Sequence, residues 1–492
     1  MILYHPAIIW RKRAKNYNRR SDHFRSTIEV QKQMMKARAF FSFLVLLCML
    51  SGCGTIPDVH ALLHDNSLYD SRSDVVGPDG ELTDQQTQRV MLRLQQHQKT
   101  PSDILDRHLA FEQGLSDVPL VLGNKVTLLE NGAATYQAML AAIRGAHDTI
   151  NLQTYTFTDG PVGQMFADAL IERARNGVQV NVEYDSLGSF GTSKSFFDGM
   201  RQKGVSVLEY RPVNPFAAKL PWSFSHRNHR KMLVVDGRVA FTGGINISEV
   251  YASGPGSSEE RGPLEYWRDT DIEVEGPAVA EFQHAFVDEW KYQQGQALGQ
   301  RNYFPTLDQK GNQMVRVIFS VPERFSLIYV TLISAIASSQ TNIYITDAYF
   351  APDRQMLHAL EHAAKRGVDV RLLLPSQTDE PLILAAQHSH YADLLEAGVK
   401  IYEWQGQMLH AKTTTIDGVW STVGTSNLDW WSIARDNELN AIVLSHSFGD
   451  DMNLMFRNDI EGSVQIEADQ WQHRGFFERL HETAARIIEP LL

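Results

Sequence analysis

The sequence His229-Arg-Lys231, followed after four further residues by Asp236, recurs as His410-Ala-Lys412 followed by Asp417. Every matching position is displaced by the same 181 residues, so the spacing inside the two copies is identical. Strand-forming residues follow each lysine, and they predict an extended segment that carries the His and Lys side chains on one face. A single copy can occur in any buried strand, whereas two copies with one spacing indicate a shared chemical role.

Both copies continue into a Gly-x-x-Asn sequence, which begins at Gly243 and Gly424 and ends at Asn246 and Asn427. Two histidines, two lysines and two asparagines could therefore meet around one phosphate. One neutral imidazole can attack phosphorus, and the other, when protonated, can donate a proton to the leaving group. Lysine and asparagine side chains can hold the non-bridging oxygens. A cationic lysine beside each histidine repels a divalent ion, so we expect no metal and no cofactor.

The duplication extends well beyond these motifs. Residues 142–150 resemble residues 335–343, and residues 174–180 resemble residues 364–370, in the same order but with offsets that drift between 181 and 194. This pattern indicates an internal duplication with different loop insertions. Each copy alternates amphipathic helices with Val-rich strands, which predicts two α/β units with mixed sheets. The two motifs can face each other only if the units pack about a pseudo-twofold axis, with the site at their interface.

At these residues the chain resembles the phospholipase D superfamily, whose hallmark is this duplicated motif, and within it the bacterial cardiolipin synthases. The phrases that carry the likeness are residues 128–132, 227–231, 236–246 and 266–269. The resemblance covers about residues 119–485 and implies two phospholipase D-like units. One departure is Thr425, where members of the family commonly have Ser. Because a hydroxyl is retained, we expect little consequence.

The resemblance implies a role for each motif residue. His229 is expected to be the nucleophile, forming a covalent phosphatidyl-histidine, and His410 the general acid that then becomes the base. The sequence leaves the opposite assignment open. Phosphate binding is expected from the lysines and asparagines of both motifs, namely Lys231, Asn246, Lys412 and Asn427.

Carboxylates complete the predicted site. Asp269 in the first repeat and Glu438 in the second are expected to orient one imidazole each through its second nitrogen. Their alternative role is as surface charges at a strand edge. Asp236 and Asp417 belong to the catalytic motif of the family, but each precedes a glycine. We therefore expect them to act structurally, in turns that end the motif strands.

The acceptor of the phosphatidyl group decides the activity that the resemblance implies. Attack by a hydroxyl of phosphatidylglycerol would give cardiolipin and release glycerol, whereas attack by water would give phosphatidic acid. The alternatives are therefore a hydrolytic phospholipase D, an endonuclease that uses the same motif, and a non-enzymatic lipid-binding lipoprotein. The last would be expected to have a degraded motif, yet both copies are intact. No Gly-rich phosphate loop or Gly-x-Ser-x-Gly elbow is present, which disfavours a nucleotide partner and a serine lipase.

A secretion signal is predicted near the amino terminus. Lys36 and Arg38 precede an apolar run over residues 39–49, and Leu50-Ser-Gly-Cys53 follows. These last four residues match a bacterial lipobox, in which Cys53 is lipidated. The alternative is a transmembrane anchor, but the apolar run is much shorter than the ~20 residues that a spanning helix needs.

The same region bears on location. Residues 1–33 are polar and basic, unlike the start of a signal, so we expect the true start at Met34 or Met35. Gly54 stands where an Asp would resemble an inner-membrane retention signal. We therefore expect a lipoprotein of the cell envelope that faces the periplasm, on the inner leaflet of the outer membrane and anchored to it through the acyl chains on its cysteine.

Composition limits the partners. Residues 53–492 carry 36 Lys and Arg against 56 Asp and Glu, a net charge of −20, which is unsuited to non-specific nucleic-acid binding. Cys48 and Cys53 are the only cysteines, so the processed chain has no thiol for catalysis or for a disulfide. Phospholipids remain as the expected substrates, and the oligomeric state cannot be read from the sequence.

The chain is thus divided into a signal region (1–52), an accessory helical segment (53–118), a first repeat (119–310) and a second repeat (311–492). In the accessory segment we expect a turn at Gly77-Pro-Asp-Gly80, a helix over about 83–98, and a second helix that begins at Thr100-Pro101 and ends at Gly114. The segment is either a spacer from the membrane or a collar packed on the core. The apolar loop 214–225 before the first motif either faces lipid or packs its aromatic residues on the core.

Overall fold

The computed structural model describes residues 56–69, 75–95, 103–214, 226–252, 266–322, 324 and 326–489. The predicted signal region with Cys53, the predicted helix start at Thr100-Pro101 and residues 215–225 of the apolar loop lie outside the described residues. Within the described part of the chain, no helix is long and apolar enough to cross a membrane.

Strands make up the centre of the molecule. They are β1 (Val75–Gly77), β2 (Gly80–Glu81), β3 (Leu120–Glu130), β4 (Thr149–Thr154), β5 (Gln179–Asp185), β6 (Ser206–Tyr210), β7 (Met232–Val235), β8 (Val239–Gly243), β9 (Thr270–Glu275), β10 (Gln313–Ser320), β11 (Asn342–Thr346), β12 (Asp369–Pro375), β13 (Lys400–Trp404), β14 (Thr413–Ile416), β15 (Trp420–Gly424), β16 (Glu438–Leu444) and β17 (Ser463–Gln465).

Helices cover these strands. They are α1 (Val59–Leu63), α2 (Asp84–Gln95), α3 (Leu109–Leu115), α4 (Asn131–Gly145), α5 (Pro161–Arg175), α6 (Lys194–Gln202), α7 (Val279–Tyr292), α8 (Leu327–Ser338), α9 (Arg354–Lys365), α10 (Pro381–Glu396), α11 (Trp430–Ala434), α12 (His446–Glu461), α13 (Ala468–Gln472) and α14 (Phe476–Ile488). Shorter helical turns are the 3₁₀ turns Asn66–Tyr69 and Glu249–Tyr251 and the π turn Ile104–His108.

The two repeats have the same sheet topology. In the first, the strands lie in the order β6-β5-β4-β7-β8-β9-β3, with β4, β5 and β6 parallel and the other pairs antiparallel. In the second, the order is β13-β12-β11-β14-β15-β16-β10 with the same directions, and β17 is added at the edge beside β13. The predicted α/β class with mixed sheets is confirmed.

One antiparallel pairing joins the two sheets. The first part of β3 pairs with the start of β10, so that Val121 lies opposite Val315 and Leu122 opposite Met314. Because β3 and β10 are the equivalent strands of the two repeats, their antiparallel pairing is what a twofold relation between the repeats requires. The result is one continuous sheet that runs through both repeats.

A shared apolar core lies under this joint. Helix α7 of the first repeat and its equivalent α12 of the second bury apolar residues against strands of both repeats. The cluster includes Val126, Ile272, Phe282, Phe286, Trp290, Val317, Ala441, Val443, Phe448 and Met452. Burial of aromatic and aliphatic side chains contributes about 1.5–3 kcal/mol each, so the interface stabilises the two repeats as one body.

The described part of the accessory segment packs on the second repeat as a collar. Val59, Leu105 and Phe111 are buried in the same apolar cluster as residues of α8 and α9. The predicted turn is present, because Gly77 pairs with Gly80 across Pro78 and Asp79. These contacts are those of a collar and not of a spacer that stands off from the core.

Gly114 corrects one detail of the sequence reading. The residue does not end its helix but lies within α3, which continues to Leu115. A β-carbon at position 114 would lie 2.1 Å from the Leu68 carbonyl oxygen. The glycine is therefore needed for close packing between α3 and the 3₁₀ turn Asn66–Tyr69. In the sequence, a glycine with this role looks the same as one that ends a helix.

Candidate active site

Each motif is held in place by the backbone of the other repeat. The His229 amide donates to the Asn437 carbonyl oxygen at 2.9 Å, and the His410 amide donates to the Arg268 carbonyl oxygen at 2.7 Å. Both contacts lie in short parallel bridges between the repeats. Because the exchange is reciprocal, the two histidine segments meet at the interface, where the sequence predicts the site.

Next to each bridge, a carboxylate of one repeat contacts the catalytic histidine of the other repeat. His229 Nδ1 lies 2.9 Å from Glu438 Oε1, and His410 Nδ1 lies 2.7 Å from Asp269 Oδ2. Each imidazole is therefore oriented by a carboxylate from the other repeat. In the described residues neither ring has a protein hydrogen bond at Nε2, so Nε2 of each histidine is available to a substrate.

The lysines are buried beside their histidines. Lys231 Nζ donates to the His229 carbonyl oxygen at 2.7 Å, and Lys412 Nζ donates to the His410 carbonyl oxygen. Burial, opposed by the charge of Glu438 and assisted by that of Lys412, lowers the pKa of Lys231 to about 7. Burial also lowers the pKa of Lys412. An anion placed between the two lysines would favour their charged forms, as a phosphate-binding role requires.

The two asparagines differ in how they are engaged. Asn246 accepts from the Thr156 amide at 3.0 Å and donates to the Tyr251 hydroxyl at 3.0 Å, which leaves one amide hydrogen for a ligand. Asn427 is buried, and its side-chain oxygen has no hydrogen-bond partner in the described residues. Both lie just beyond the motif strands, and their contact with phosphate stays a prediction.

Asp236 and Asp417 do not join the catalytic groups, which corrects their inclusion in the catalytic set. Each lies at the far end of a four-residue strand from its lysine, about 16 Å along an extended chain. Asp236 accepts from three backbone amides at 2.8–2.9 Å, those of residues 147–149. Asp417 accepts from the amides of residues 340–342. These hydrogen bonds to backbone amides agree with the structural role expected of both residues.

These aspartates also adopt an unusual backbone. Asp236 and Asp417 have φ of 52° and 53°, and the following glycines, Gly237 and Gly418, have φ of 60° and 64°. The left-handed region is accessible to Asp and Gly at low cost but not to most residues. The Asp-Gly pair thus fixes the hairpin and docks it on the helix end of its own repeat.

The carboxylates differ in electrostatics. Burial opposes ionisation of Glu438, but His229, Lys231 and the Thr425 hydroxyl outweigh it and hold the pKa of Glu438 below its usual value. Thr425 Oγ1 donates to Glu438 Oε2 at 2.5 Å. Burial raises the pKa of Asp269 to about 7, against the charge of the lysines. At neutral pH Glu438 is ionised, whereas Asp269 ionises less readily.

Both imidazoles are neutral at neutral pH. Burial lowers the pKa of His229, and Glu438 only partly compensates. Burial lowers the pKa of His410 still further, and Lys412, Lys231 and His229 add to the effect. His229 therefore donates its Nδ1 hydrogen to an ionised carboxylate, which leaves a lone pair on Nε2 and a negative charge behind the ring.

Aromatic rings line the His410 side of the site. The ring centroids of Tyr251, Trp267 and Tyr349 lie 5.7, 5.2 and 5.9 Å from that of His410. Rings at this range favour a positive charge on the imidazole. Of these three, only Trp267 falls within a quoted family phrase, and no sequence signal identified the two tyrosines as parts of the site.

The His229 side carries one ring and an additional carboxyl group. Tyr155 meets His229 edge-on with centroids 5.1 Å apart. Ligand-type atoms of His229, Asp436 and Glu438 lie within 4.8 Å of one another, the one such group in the described chain. Lys231 acts electrostatically on both carboxyl groups, so its ammonium occupies the role that a cation would take. The expected absence of a metal stays a prediction.

Arg230 was missed by the sequence reading. Its guanidinium is buried and contacts the Glu438 carbonyl oxygen, Glu289 and the Ser320 carbonyl oxygen, each at 3.4 Å. The arginine thus ties the first motif to strands β16 and β10 of the second repeat. The sequence feature that could have identified Arg230 is a charged residue between the His and the Lys of the first motif, where the second motif has Ala411.

Comparison with known proteins agrees with this geometry. The family model described as "Cardiolipin synthase, PLD-like domain" matches residues 139–253 and 332–460, one match in each repeat. A cardiolipin synthase of Alkalihalophilus pseudofirmus is 36% identical over 378 residues, which cover 76% of this chain and 73% of that protein. The chain belongs to the cardiolipin synthase family of the phospholipase D superfamily. It is therefore an enzyme of the phosphatidyltransferase type.

Other members of the family and one solved structure extend the comparison. A cardiolipin synthase of Geobacillus kaustophilus is 34% identical over 381 residues, covering 76% of this chain and 74% of that protein. The crystal structure of phosphatidylserine synthase from Haemophilus influenzae Rd KW20 matches with a TM-score of 0.56 and 13% identity, covering 77% of this chain and 99% of that one. At this identity the structural likeness supports the fold alone.

Proposed function

We propose that the enzyme is a cardiolipin synthase that uses phosphatidylglycerol as donor and acceptor and releases glycerol. The observation that carries the proposal is the pair of crossed imidazole–carboxylate contacts, His229 with Glu438 and His410 with Asp269, around two buried lysines. A double displacement at phosphorus requires one imidazole as nucleophile, a second as general acid and base, and cationic groups that bind the phosphate. The relatives named cardiolipin synthase support the choice of lipid.

In the first step, His229 Nε2 attacks the phosphorus of the donor lipid. The bond from phosphorus to the glycerol oxygen breaks, and His410, which becomes protonated when the anionic donor binds, gives that oxygen the proton it needs to leave as glycerol. Lys231 and Lys412 bind the non-bridging oxygens, whose charge grows in the transition state. The product of this step is a phosphatidyl group bonded to His229.

In the second step, His410 is neutral and acts as the base. It takes the proton of an acceptor hydroxyl, whose oxygen attacks phosphorus as the bond to His229 Nε2 breaks. The electron pair returns to the imidazole and the products are cardiolipin and free enzyme. The phosphodiester energy is conserved in the intermediate, so no nucleotide and no metal is required.

The assignment of His229 as nucleophile rests on the carboxylates. Glu438, whose pKa is held below its usual value, places a full negative charge behind His229 and stabilises the cation that forms when Nε2 is phosphorylated. Asp269, with its pKa near 7, supplies a weaker charge behind His410. A group that only passes a proton has less need of a permanent counter-charge.

Membrane anchoring belongs to the same proposal. Lipidation of Cys53 would hold the active site near its substrates, which compensates for the net charge of −20 that repels anionic lipids at long range. We place the enzyme in the cell envelope, on the periplasmic face of the outer membrane. Incorporation of a labelled fatty acid into the chain, and its loss in Cys53→Ser, tests this placement.

The reaction is tested with the purified enzyme in detergent micelles, phosphatidylglycerol labelled in the acyl chains and in the head-group glycerol, and a chelator. Labelled cardiolipin together with free glycerol is the expected result. Phosphatidic acid with glycerol as the sole products would make the enzyme a hydrolase. Absence of lipid turnover together with cleavage of single-stranded DNA would favour the endonuclease alternative. The double variant His229→Ala/His410→Ala serves as the control for contaminating activity.

A further inference from the structure

A carboxylate outside both motifs lies at the His410 side of the site. Asp379 is exposed, in the connection between β12 and α10. It accepts a hydrogen bond from the Tyr349 hydroxyl at 2.7 Å, and the Tyr349 ring centroid lies 5.9 Å from that of His410. The carboxylate is close enough for its charge to act on the His410 imidazole.

Tyr349 is rigidly placed between the catalytic groups and this carboxylate. Its amide donates to buried Asp347 at 3.1 Å, and Lys412 Nζ lies 5.9 Å from its ring centroid. Burial raises the pKa of Tyr349, and Asp379 raises it further, so the hydroxyl keeps its hydrogen and donates it to Asp379. The tyrosine therefore fixes the carboxylate near the general acid and base.

The two oxygens of the Asp379 carboxylate differ in their hydrogen bonds. Tyr349 and Thr378 both hydrogen-bond to Oδ1, at 2.7 and 3.2 Å. Oδ2 has no protein partner in the described residues. An exposed carboxylate oxygen beside a catalytic base can accept hydrogen bonds from the group on which that base acts.

The chemistry of the ligand follows from the surrounding charges. A phosphate would be repelled by Asp379. An ammonium group would be repelled by Lys231 and Lys412, which already lie in the site. Neutral hydroxyls donate to a carboxylate without adding charge, and such hydrogen bonds to a charged acceptor are among the stronger ones in proteins.

We infer that Asp379, fixed by Tyr349, binds the hydroxyl groups of the polyol head group of the acceptor lipid and holds one of them beside His410. The inference rests on the proposed function and deepens it, because it names the residue that favours a polyol over water. One hydroxyl of the head group donates to Asp379 Oδ2. Its neighbour gives its proton to His410 Nε2 while its oxygen bonds to phosphorus and the bond to His229 breaks.

The first repeat places the Tyr155 ring beside His229 and Lys231, but in the described residues no carboxylate accepts a hydrogen bond from its hydroxyl. Ile150 and Ile343 occupy equivalent positions, opposite Val235 and Ile416 of the motif strands, and this register places Thr156 where the second repeat has Tyr349. The amide of Thr156 donates to Asn246, and the residue has no aromatic hydroxyl to hold a carboxylate. The polyol site is thus confined to the side of the proposed general base.

The test compares Asp379→Asn with the neighbouring control Glu380→Gln in micelles of acyl-labelled phosphatidylglycerol. The measured quantity is the ratio of cardiolipin to phosphatidic acid, which does not depend on the amount of folded enzyme. We expect the ratio to fall about tenfold in Asp379→Asn, the loss of a hydrogen bond to a charged group, and to stay at the wild-type value in Glu380→Gln. An unchanged ratio in Asp379→Asn, or an equal fall in the control, overturns the inference.

A second arm separates head-group recognition from recognition of the lipid. Labelled free glycerol is added and its incorporation into phosphatidylglycerol is followed, with ethanol, which has a single hydroxyl, as competing acceptor. Asp379→Asn should reduce glycerol incorporation as strongly as cardiolipin formation, and should not reduce transfer to ethanol. Loss confined to ethanol or to cardiolipin contradicts a polyol site. Failure of the wild-type enzyme to make cardiolipin would instead refute the proposed function.

Discussion

Behind His229 the orienting carboxylate is Glu438, which accepts a hydrogen bond from Thr425. Behind His410 it is Asp269, and the position equivalent to Thr425 is Gly244. A β-carbon at Gly244 would lie 2.2 Å from Asp269 Oδ1, so no side chain fits there. The carboxyl group of Asp269 therefore lies where a side chain at position 244 would begin, and it has no counterpart of the Thr425 hydroxyl.

The comparison teaches that duplicated backbone need not give duplicated chemistry. The two repeats agree in topology, in the crossed bridges and in the Asp-Gly turns. Their differences at the site include one methylene of a carboxylate and one hydroxyl, and the pKa of Glu438 lies below its usual value whereas that of Asp269 is raised to about 7. An asymmetric reaction, with one nucleophile and one acid, can thus occupy a site with twofold geometry.

The strongest way to break this comparison is to remove each imidazole. With a p-nitrophenyl phosphodiester donor, whose leaving group needs no proton, His410→Ala should still release a burst of nitrophenol, whereas His229→Ala should not. With phosphatidylglycerol both variants should lose about 10³-fold or more in rate. Stopped-flow absorbance measures the burst. A burst in His229→Ala and none in His410→Ala would reverse the assignment.

Neutralising the two carboxylates should have unequal effects. Glu438→Gln removes a charge that is present at neutral pH, and we expect about a 100-fold loss of kcat. Asp269→Asn removes a carboxylate that ionises less readily, and we expect about a tenfold loss. Steady-state rates at pH 7 measure both. Equal losses would mean that the two half-sites are electrostatically alike.

The hydroxyl of Thr425 sharpens the comparison through pH. Activity requires ionised Glu438 and is lost as pH falls through its pKa. Because Thr425→Val removes a donor that lowers this pKa, the acid limb of the rate profile should move to higher pH. Thr425→Ser retains the hydroxyl and should restore the wild-type profile. An unshifted limb in the valine variant would show that the hydrogen bond does not set the charge state.

The smallest difference between repeats is expected at the turns. Asp236→Asn and Asp417→Asn each weaken three hydrogen bonds to backbone amides, and we expect each to lower the free energy of unfolding by about 2 kcal/mol. Rates per folded molecule should change less than threefold. Thermal melting and active-site titration measure the two effects. A large loss of kcat without a change in melting would return these residues to the catalytic set.

Much of this architecture is readable from sequence because it depends on spacing. The common displacement of the two motifs, together with repeated strands, predicts equivalent units and a shared site, and the likeness at residues 227–231 and 236–246 supplies the family. Asp269 and Glu438 are found because each precedes a recognisable strand. These features are local in the chain, so a pattern of residues is enough to identify them.

Other features arise only when distant segments meet. No spacing shows that Glu438 serves the opposite repeat's histidine, or that Tyr349 and Asp379, thirty residues apart, form a pair beside His410. Thr425 was recognised as a departure, yet its effect depends on a 2.5 Å contact with Glu438 that the sequence does not reveal. Gly114 was misread for the same reason, since the backbone that excludes its β-carbon is over forty residues away.

The crossed carboxylates also bear on how such a chain could arise. An ancestor with one copy of the motif would carry a histidine whose orienting acid points away from it, and it could complete a site only by pairing with a second identical chain. In that homodimer both acids would be the same residue, and no mutation could alter one alone. Two copies joined in one chain can mutate independently, and Gly244 and Thr425 are equivalent positions at which the two repeats differ.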